Sequence, residues 1–253
     1  LGVGIINFAY WMAKNNMTYS NPQLEKIDEW AEAWSYYLIK ASADLAKEKG
    51  NCPGNDQTKY GQGITPNMTY KKDVDELVPH KERLPWVKLR KQLKETGITN
   101  STLMALMPSE TSSQVSSSTN GIEPPRALIS VKQSKDGILK QVVPGIHHLK
   151  NKYELLWDQK SPEGYLKIMA VLQKYIDQGI SVNTSYNPVY FNDEKIPMSL
   201  MLQHMLMFYK YGGKQLYYFN TFDGASDDFE EPAHPYVSQD DPLEDDDCDA
   251  CKI

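Results

Sequence analysis

Residues 103 to 112 read Leu-Met-Ala-Leu-Met-Pro-Ser-Glu-Thr-Ser, an apolar run that a proline ends just before four hydroxyl or carboxyl side chains. The apolar half is typical of a buried strand, and the polar half is typical of a helix N-terminus. There, unpaired backbone N–H groups, the positive end of the helix dipole and short hydroxyls converge. Such a point binds a phosphate without a lysine. The stretch therefore predicts an anion-binding turn between a strand and a helix.

The serine-rich continuation of this turn has a second interpretation. Between Thr111 and Thr119 lie seven serines and threonines with one glutamine and one valine, a composition typical of a flexible linker. On composition alone the linker is favoured. The apolar strand before it and a hairpin after it favour the anion site, because a linker would be out of place inside a continuous α/β pattern.

Outward from this turn, hydrophobic periodicity and turn residues divide the chain into alternating elements. The predicted helices span residues 4–14, 21–50, 84–96, 112–119, 148–157, 162–177 and 197–211. The predicted strands span residues 103–107, 127–131, 138–143, 179–186 and 214–221, and residues 51–82 read as irregular. The stripe predicted to be buried in the long helix is Leu24, Ile27, Trp30, Ala31, Trp34, Leu38, Ala41 and Leu45. This alternation predicts an α/β fold.

Charge is divided unevenly along the chain. Residues 223–253 carry 12 of the 33 acidic residues and one of the 27 basic ones, which leaves 21 acidic and 26 basic residues in the first 222. The acidic end, with its prolines, predicts disorder. It would also compete for any basic patch, so nucleic-acid binding is not expected. The mildly basic remainder suits phosphorylated metabolites.

Size and cysteine usage limit the class of protein. A chain of 253 residues with 40% hydrophobic residues can form one large or two small domains. No run approaches the ~18 apolar residues of a membrane span, and no secretory signal is evident. Three cysteines do not form a disulfide framework, so a reducing, cytoplasmic location is expected. The chain opens on apolar sequence without a methionine, which predicts that it is part of something larger.

Cys248 and Cys251 form a Cys-x-x-Cys pair at the end of the acidic segment. Zinc binding would need two more ligands, and no histidine lies within ten residues. Thiol–disulfide exchange is the favoured interpretation, since a dithiol on a long arm can visit a buried site and then a reductant. Two incidental surface cysteines remain an alternative. The surrounding aspartates should raise the thiol pKa values, which disfavours a strongly activated nucleophile.

Tyr217 and Tyr218 are adjacent in the last predicted strand. Core packing is the simpler interpretation, because a regular strand points neighbouring side chains to opposite faces. A joint role requires a local bend. Just upstream, residues 198–208 contain four methionines and three leucines, which indicates either a buried helix or a soft groove for a partner's peptide.

Together these features resemble the C-terminal third of the large (α) subunit of class Ia ribonucleoside-diphosphate reductases of the bacterial type. The resemblance runs over the whole chain. The segments that carry it are Ala105–Gln114, Asn120–Arg126, Ser134–Ile138, Leu216–Tyr218 and Ala250–Ile253. It implies a ten-stranded α/β barrel built from two five-stranded halves. Residues 1–222 would form the later part of that barrel, and residues 223–253 would form a flexible tail.

The resemblance also implies roles for individual residues. The loop that holds the substrate diphosphate would be Pro108, Ser109, Glu110, Thr111 and Ser112. Tyr217 and Tyr218 would be the stacked pair that passes a radical from the small subunit. Cys248 and Cys251 would re-reduce the active-site disulfide and be recycled by thioredoxin or glutaredoxin. The methionine-rich helix would lie where the small (β) subunit's C-terminal peptide docks.

Two departures from the family pattern matter. Here the tail cysteines are separated by two residues, whereas bacterial relatives commonly have four between them. The radical-bearing cysteine, the two substrate-reducing cysteines and the effector-binding domains for ATP and dNTPs lie upstream of Leu1 in the family, and Cys52 matches none of these cysteines. The chain is therefore expected to bind no metal or cofactor itself and to need a companion fragment, with a di-iron tyrosyl radical in the small subunit.

Two hypotheses of other kinds remain open from the sequence. A stand-alone thiol–disulfide carrier would not depend on Ser109 or Thr111. A non-catalytic scaffold that only docks the small subunit would not depend on Cys248 or Cys251.

Overall fold

The computed structural model describes residues 1–134 and 137–224. Its α-helices are α1 (Phe8–Lys14), α2 (Leu24–Lys49), α3 (Pro66–Thr69), α4 (Trp86–Thr96), α5 (Glu110–Val115), α6 (Ile146–Leu149), α7 (Glu163–Gln173) and α8 (Met198–Lys210). The strands are β1 (Ile129–Ser134), β2 (Gly137–Val142), β3 (Val182–Tyr186) and β4 (Leu216–Thr221). Single 3₁₀ turns occur at Asn55–Gln57, Lys72–Glu76, Lys150–Lys152, Leu156–Asp158, Pro188–Tyr190 and Asn192–Glu194. This mixture confirms the α/β class.

The apolar segment 103–107 lies at the centre of a parallel array. Met104 pairs in parallel with Val3 on one side, and Leu106 pairs in parallel with Ile180 on the other. The chain beyond Ile180 becomes β3, which pairs in parallel with β4. Leu103, Met104 and Leu106 are buried, as expected for a parallel sheet covered on both faces. The described residues thus contain four adjacent parallel segments.

Helices cover this array. α7 packs against β3, α2 and α8, and its residues from Ile168 to Gln173 are all buried. Six consecutive buried residues cover every side of a helix, which fits the position of this part of α7 between the array and α2. Among the described helices, none is long and apolar enough to cross a membrane.

The buried face of α2 differs from the predicted stripe. Ile27 and Ala31 are buried as expected, but Ala41 is exposed and the tryptophans are only half-buried. Asp28 and Glu32 are fully buried instead. They are neutralised by cations from distant segments, because Arg83 contacts both carboxylates and Lys174 contacts Asp28 at 2.7 Å.

The hairpin is confirmed, with β1 and β2 antiparallel and Ser134 opposite Gly137. The predicted helix at 148–157 is wrong. The chain there forms the short α6 and isolated turns, because its polar groups form hydrogen bonds outside the segment. Leu156 N–H donates to the Pro125 carbonyl, and Tyr153 O–H donates to the Pro144 carbonyl.

Three further boundaries differ from the predictions. Segment 103–107 forms single parallel bridges rather than a regular strand, since Pro108 has no N–H and the neighbouring chain turns at Asn7 (φ 65°) into α1. Because the chain turns at Asn7, α1 begins at Phe8 and not at residue 4. α5 begins at Glu110 and ends at Val115, short of Thr119, because Ser117 takes a positive φ of 50°.

Candidate functional site

The carboxyl ends of the parallel segments meet at one edge of the array, where ligands bind in open α/β sheets. Segment 103–107 runs there into α5, and β4 ends there at Thr221. A cavity of about 570 Å³ lies at this edge. It is lined by the first residue of α5, the turn around 118–127, the hairpin and the end of β4.

The five residues predicted to hold a diphosphate form the turn into α5 and its first residues. Pro108 is exposed, and so are Glu110, Thr111 and Ser112. Ser109 is buried, and its hydroxyl donates to the Met107 carbonyl at 3.0 Å rather than pointing outward. Glu110 lines the cavity.

The start of α5 leaves backbone donors at the surface. Ser113 N–H makes the first bond of the helix, to the Ser109 carbonyl at 2.9 Å. The amides of Thr111 and Ser112 precede that bond, as amides do at every helix start. The buried Ser113 hydroxyl accepts from Gly121 N–H at 3.3 Å, which anchors α5 to the turn behind it. The exposed residues Thr111 and Ser112 thus directly follow Glu110, which lines the cavity.

Tyr217 and Tyr218 lie side by side in β4. Their ring centroids are 4.2 Å apart and their phenolic oxygens are 3.4 Å apart. The register explains this contact: Val182 pairs with Leu216 and Thr184 pairs with Phe219, so β4 contains one extra residue. A β-bulge of this kind bends a strand and redirects a side chain. The bend that a joint role requires is therefore present.

Both tyrosines are about half-exposed, at 51% and 55%. The hydrogen bond from Tyr218 to Tyr217 and the electrostatic interaction between the two phenols raise the pKa of Tyr218 above its ordinary value. The cavity begins at Phe219, the next residue along β4. The pair is thus open on one side and adjoins the cavity on the other.

Two polar residues beside this pair, Asn183 and Glu123, are not among the residues predicted from the sequence. Asn183 accepts from Tyr218 N–H at 3.1 Å and donates to Glu123 at 2.6 Å. Burial raises the pKa of Glu123 above its ordinary value, and the hydrogen bond from Asn183 and the charge of Arg126 offset only part of that rise. Glu123 and Arg126 belong to the 120–126 motif, one of the segments that carry the family resemblance. That motif is the sequence feature from which a role for Glu123 could have been predicted. Asn183 is one polar residue in a strand, and its spacing alone gives no signal.

α8 exposes a broad apolar face in the described part of the chain, so it is not buried on all sides. His204 and Phe208 face inward, and His204 contacts Tyr186 and Ser161 at 3.0 and 3.3 Å. Burial lowers the pKa of His204. The exposed side chains are Met198, Leu202, Met205, Leu206 and Tyr209. Cys248 and Cys251 lie outside the described residues.

Comparison with known proteins gives one family and a set of similar chains. Residues 1–219 match the ribonucleotide reductase barrel domain. The chain is 51% identical to ribonucleoside-diphosphate reductase 1 subunit alpha of Salmonella typhimurium strain LT2, and 49% identical to the protein of the same description from Escherichia coli K12. It is 44% identical to ribonucleoside-diphosphate reductase subunit alpha of Enterobacteria phage T4.

Each of these alignments covers 100% of this chain but 33% of the relative. The chain therefore spans about a third of the length of the curated relatives it matches.

Proposed function

The chain belongs to the ribonucleotide reductase barrel-domain family, and from this premise we propose that it forms part of the catalytic subunit of a ribonucleoside-diphosphate reductase. Residues 1–222 supply the later part of a ten-stranded barrel, and residues 223–253 form an acidic tail with a redox-active cysteine pair. The four parallel segments and the covering α7 support the assignment of the described residues to a barrel. An upstream part supplies the rest of the barrel, the radical-bearing cysteine, the substrate-reducing cysteines and the effector sites.

The assembled enzyme replaces the ribose 2′ hydroxyl of a ribonucleoside diphosphate by hydrogen. The hydroxyl leaves as water, and two thiols provide two electrons as they close into a disulfide. In this scheme the turn at 108–112 holds the diphosphate, Tyr217 and Tyr218 conduct the radical, and Cys248 and Cys251 reduce the disulfide again. Thioredoxin or glutaredoxin then recycles the tail, and the setting is the reducing cytoplasm.

The observation that carries this proposal is the contact between the two tyrosine rings at the bulge of β4. Hydrogen-bonded phenols give a proton and an electron a short route from ring to ring. Their half-exposed position leaves one side open to a donor on another polypeptide. That donor is a small (β) subunit with a di-iron tyrosyl radical, and the exposed apolar face of α8 is a suitable docking surface for its C-terminal peptide.

The test is reconstitution. The chain is combined with the upstream part of the subunit, the small subunit and a dithiol protein, and reduction of CDP is measured. Deoxycytidine diphosphate should form only in the complete mixture. Product formed without this chain, or a complete mixture that binds CDP but never reduces it, would reject the proposal.

Substitutions at the start of α5 should weaken diphosphate binding. Thr111→Val keeps the shape of the side chain and removes its hydroxyl. Because hydrogen bonds to a charged group contribute about 1.5–3 kcal/mol, the Kd for CDP should rise roughly tenfold or more. Equilibrium binding to the assembled subunit measures this change.

The matched control is Ser116→Ala at the other end of the same helix, where the hydroxyl bonds to the Ser112 carbonyl. It should leave the Kd unchanged. Equal effects of the two substitutions would indicate damage to α5 rather than loss of a ligand contact.

Replacing both tail cysteines should separate the first turnover from later ones. In the Cys248→Ser, Cys251→Ser variant one equivalent of product should form, because the active-site thiols start reduced. Turnover sustained by thioredoxin should then stop, and a rapid-quench time course would show the burst without a steady state. Cys52→Ser is the control, since Cys52 packs against the core. Steady turnover by the double variant with thioredoxin would contradict the role of the tail.

A further inference from the structure

The bulge in β4 places two residues of β4 opposite a single residue of β3. Across the ladder, Val182 faces Leu216 and Thr184 faces Phe219, so Asn183 alone faces both Tyr217 and Tyr218. In a regular ladder the two rings would point to opposite faces of the sheet. The ring contact therefore exists only while the extra residue stays in β4.

The side chain of Asn183 holds that extra residue. Its Oδ1 accepts the backbone N–H of Tyr218 at 3.1 Å. A bulge leaves its extra residue outside the ladder, and a backbone donor left without an acceptor favours a return to regular pairing. The amide oxygen of Asn183 supplies that acceptor at the point where main-chain pairing is interrupted.

Glu123 determines which way the Asn183 amide faces. The Glu123 Oε1 atom accepts from Asn183 Nδ2 at 2.6 Å, and its Oε2 atom lies 3.4 Å from Asn120 Nδ2. An ionised carboxylate can only accept hydrogen bonds, whereas an asparagine amide can present either its oxygen or its NH₂ group. With the NH₂ group held by Glu123, the oxygen of Asn183 must face Tyr218.

We propose that Asn183 and Glu123 act together as a bulge clamp, a pair of positioning residues that keeps Tyr217 and Tyr218 in contact for radical transfer. This inference rests on the proposed relay role of the two tyrosines. The role proposed for both residues is positional, and neither exchanges a proton or an electron. They contribute by maintaining the bulged conformation of β4 at Tyr217 and Tyr218.

Four variants of the assembled reductase test the bulge clamp. Asn183→Leu removes both hydrogen bonds, so kcat for CDP reduction should fall roughly 10- to 100-fold, the scale at which misplacing a reacting group acts. Asn183→Asp keeps the size but sets two carboxylates against each other and should lower kcat as well. Glu123→Gln should lower kcat less than Asn183→Leu does, because the glutamine oxygen still accepts from Asn183 and the Asn120 Oδ1 atom can turn to accept its NH₂ group.

The fourth variant, Asn183→Asp with Glu123→Gln, reverses the polarity of the contact. The introduced glutamine then donates its NH₂ group to the introduced aspartate, whose other oxygen accepts from Tyr218 N–H. This double variant should restore most of the kcat lost in Asn183→Asp. Through all four variants the Kd for CDP should stay constant, which separates misplaced tyrosines from a collapsed barrel.

Ser185→Ala is the matched control, because Ser185 contacts Asn220 across the same two strands beyond the bulge. It should leave kcat unchanged. Parent activity in Asn183→Leu, or a double variant no more active than Asn183→Asp, would overturn the bulge clamp. The relay itself is tested separately by Tyr217→Phe. An inactive Tyr217→Phe with a fully active Asn183→Leu rejects the clamp alone, whereas an active Tyr217→Phe rejects the relay.

Discussion

Tyr217→Phe is expected to abolish CDP reduction by the assembled enzyme while leaving CDP binding intact. Phenylalanine keeps the ring that contacts Tyr218 at 4.2 Å but lacks the phenolic O–H that lies 3.4 Å from the Tyr218 oxygen. Without that proton, the ring cannot be oxidised by the coupled loss of a proton and an electron. Removing an obligatory reacting group lowers kcat by roughly 10⁴-fold or more.

The chain offers a matched control in a second pair of adjacent tyrosines. Tyr36 and Tyr37 lie on α2 with ring centroids 5.3 Å apart, and Tyr37 is 59% exposed, close to the 51% of Tyr217. Tyr37→Phe should therefore leave turnover unchanged. Steady-state assays should be combined with equilibrium CDP binding on the same preparations. Normal turnover in Tyr217→Phe would remove the radical-relay role.

The second large effect concerns stability. Lys174→Met should destabilise the packing of α2 on α7 by about 3 kcal/mol, because it leaves a buried carboxylate without one of its cations. Lys174 and Asp28 are both fully buried, with Nζ and Oδ1 2.7 Å apart. The same Asp28 oxygen accepts from Tyr175 O–H at 3.0 Å, and Arg83 contacts the other oxygen at 2.9 Å. Methionine preserves the length of the side chain, so the change isolates the charge.

Hydrogen exchange in the intact subunit is the appropriate measurement, because it reports the opening of individual helices in a multidomain protein. Amides of α2 and α7 should exchange faster in Lys174→Met. The control is Lys167→Met on the same helix, which removes a partly exposed ion pair with Glu163 and should cost less than about 1 kcal/mol. Replacing Asp28 and Lys174 together by leucine and methionine should cost less than the sum of the single changes. Unchanged protection in Lys174→Met would show that Arg83 alone neutralises Asp28.

Local pattern was sufficient for the elements whose signal lies within one segment. The helices α2, α4, α7 and α8 lie where their spacing predicts, and so do the hairpin, β3 and β4. The periods of 3.6 and 2 residues come from the backbone itself, so neighbouring residues reveal them. The turn at 108–112 is predictable in the same way, since an apolar segment, a proline and a run of hydroxyls are contiguous in the sequence.

The predicted helix at 148–157 shows where local pattern fails. Its sequence suits a helix, yet Leu156 bonds to Pro125 and Trp157 packs on Phe222. Those partners lie far away along the chain, and the bonds they offer replace the helical ones.

The amino-acid sequence by itself determined the class of the fold, the order of its main elements and the two adjacent tyrosines at the end of the array. Tertiary structure alone decided that Asp28 is buried, because its partner Lys174 stands 146 residues away. It also decided that the tyrosine rings meet, because the bulge in β4 depends on its register against β3. A charged side chain can be buried only when another segment supplies an opposite charge or hydrogen bonds to it. An extra residue stays in a strand only when another segment supplies a hydrogen-bond partner for its backbone. The spacing of neighbouring residues carries no record of that partner.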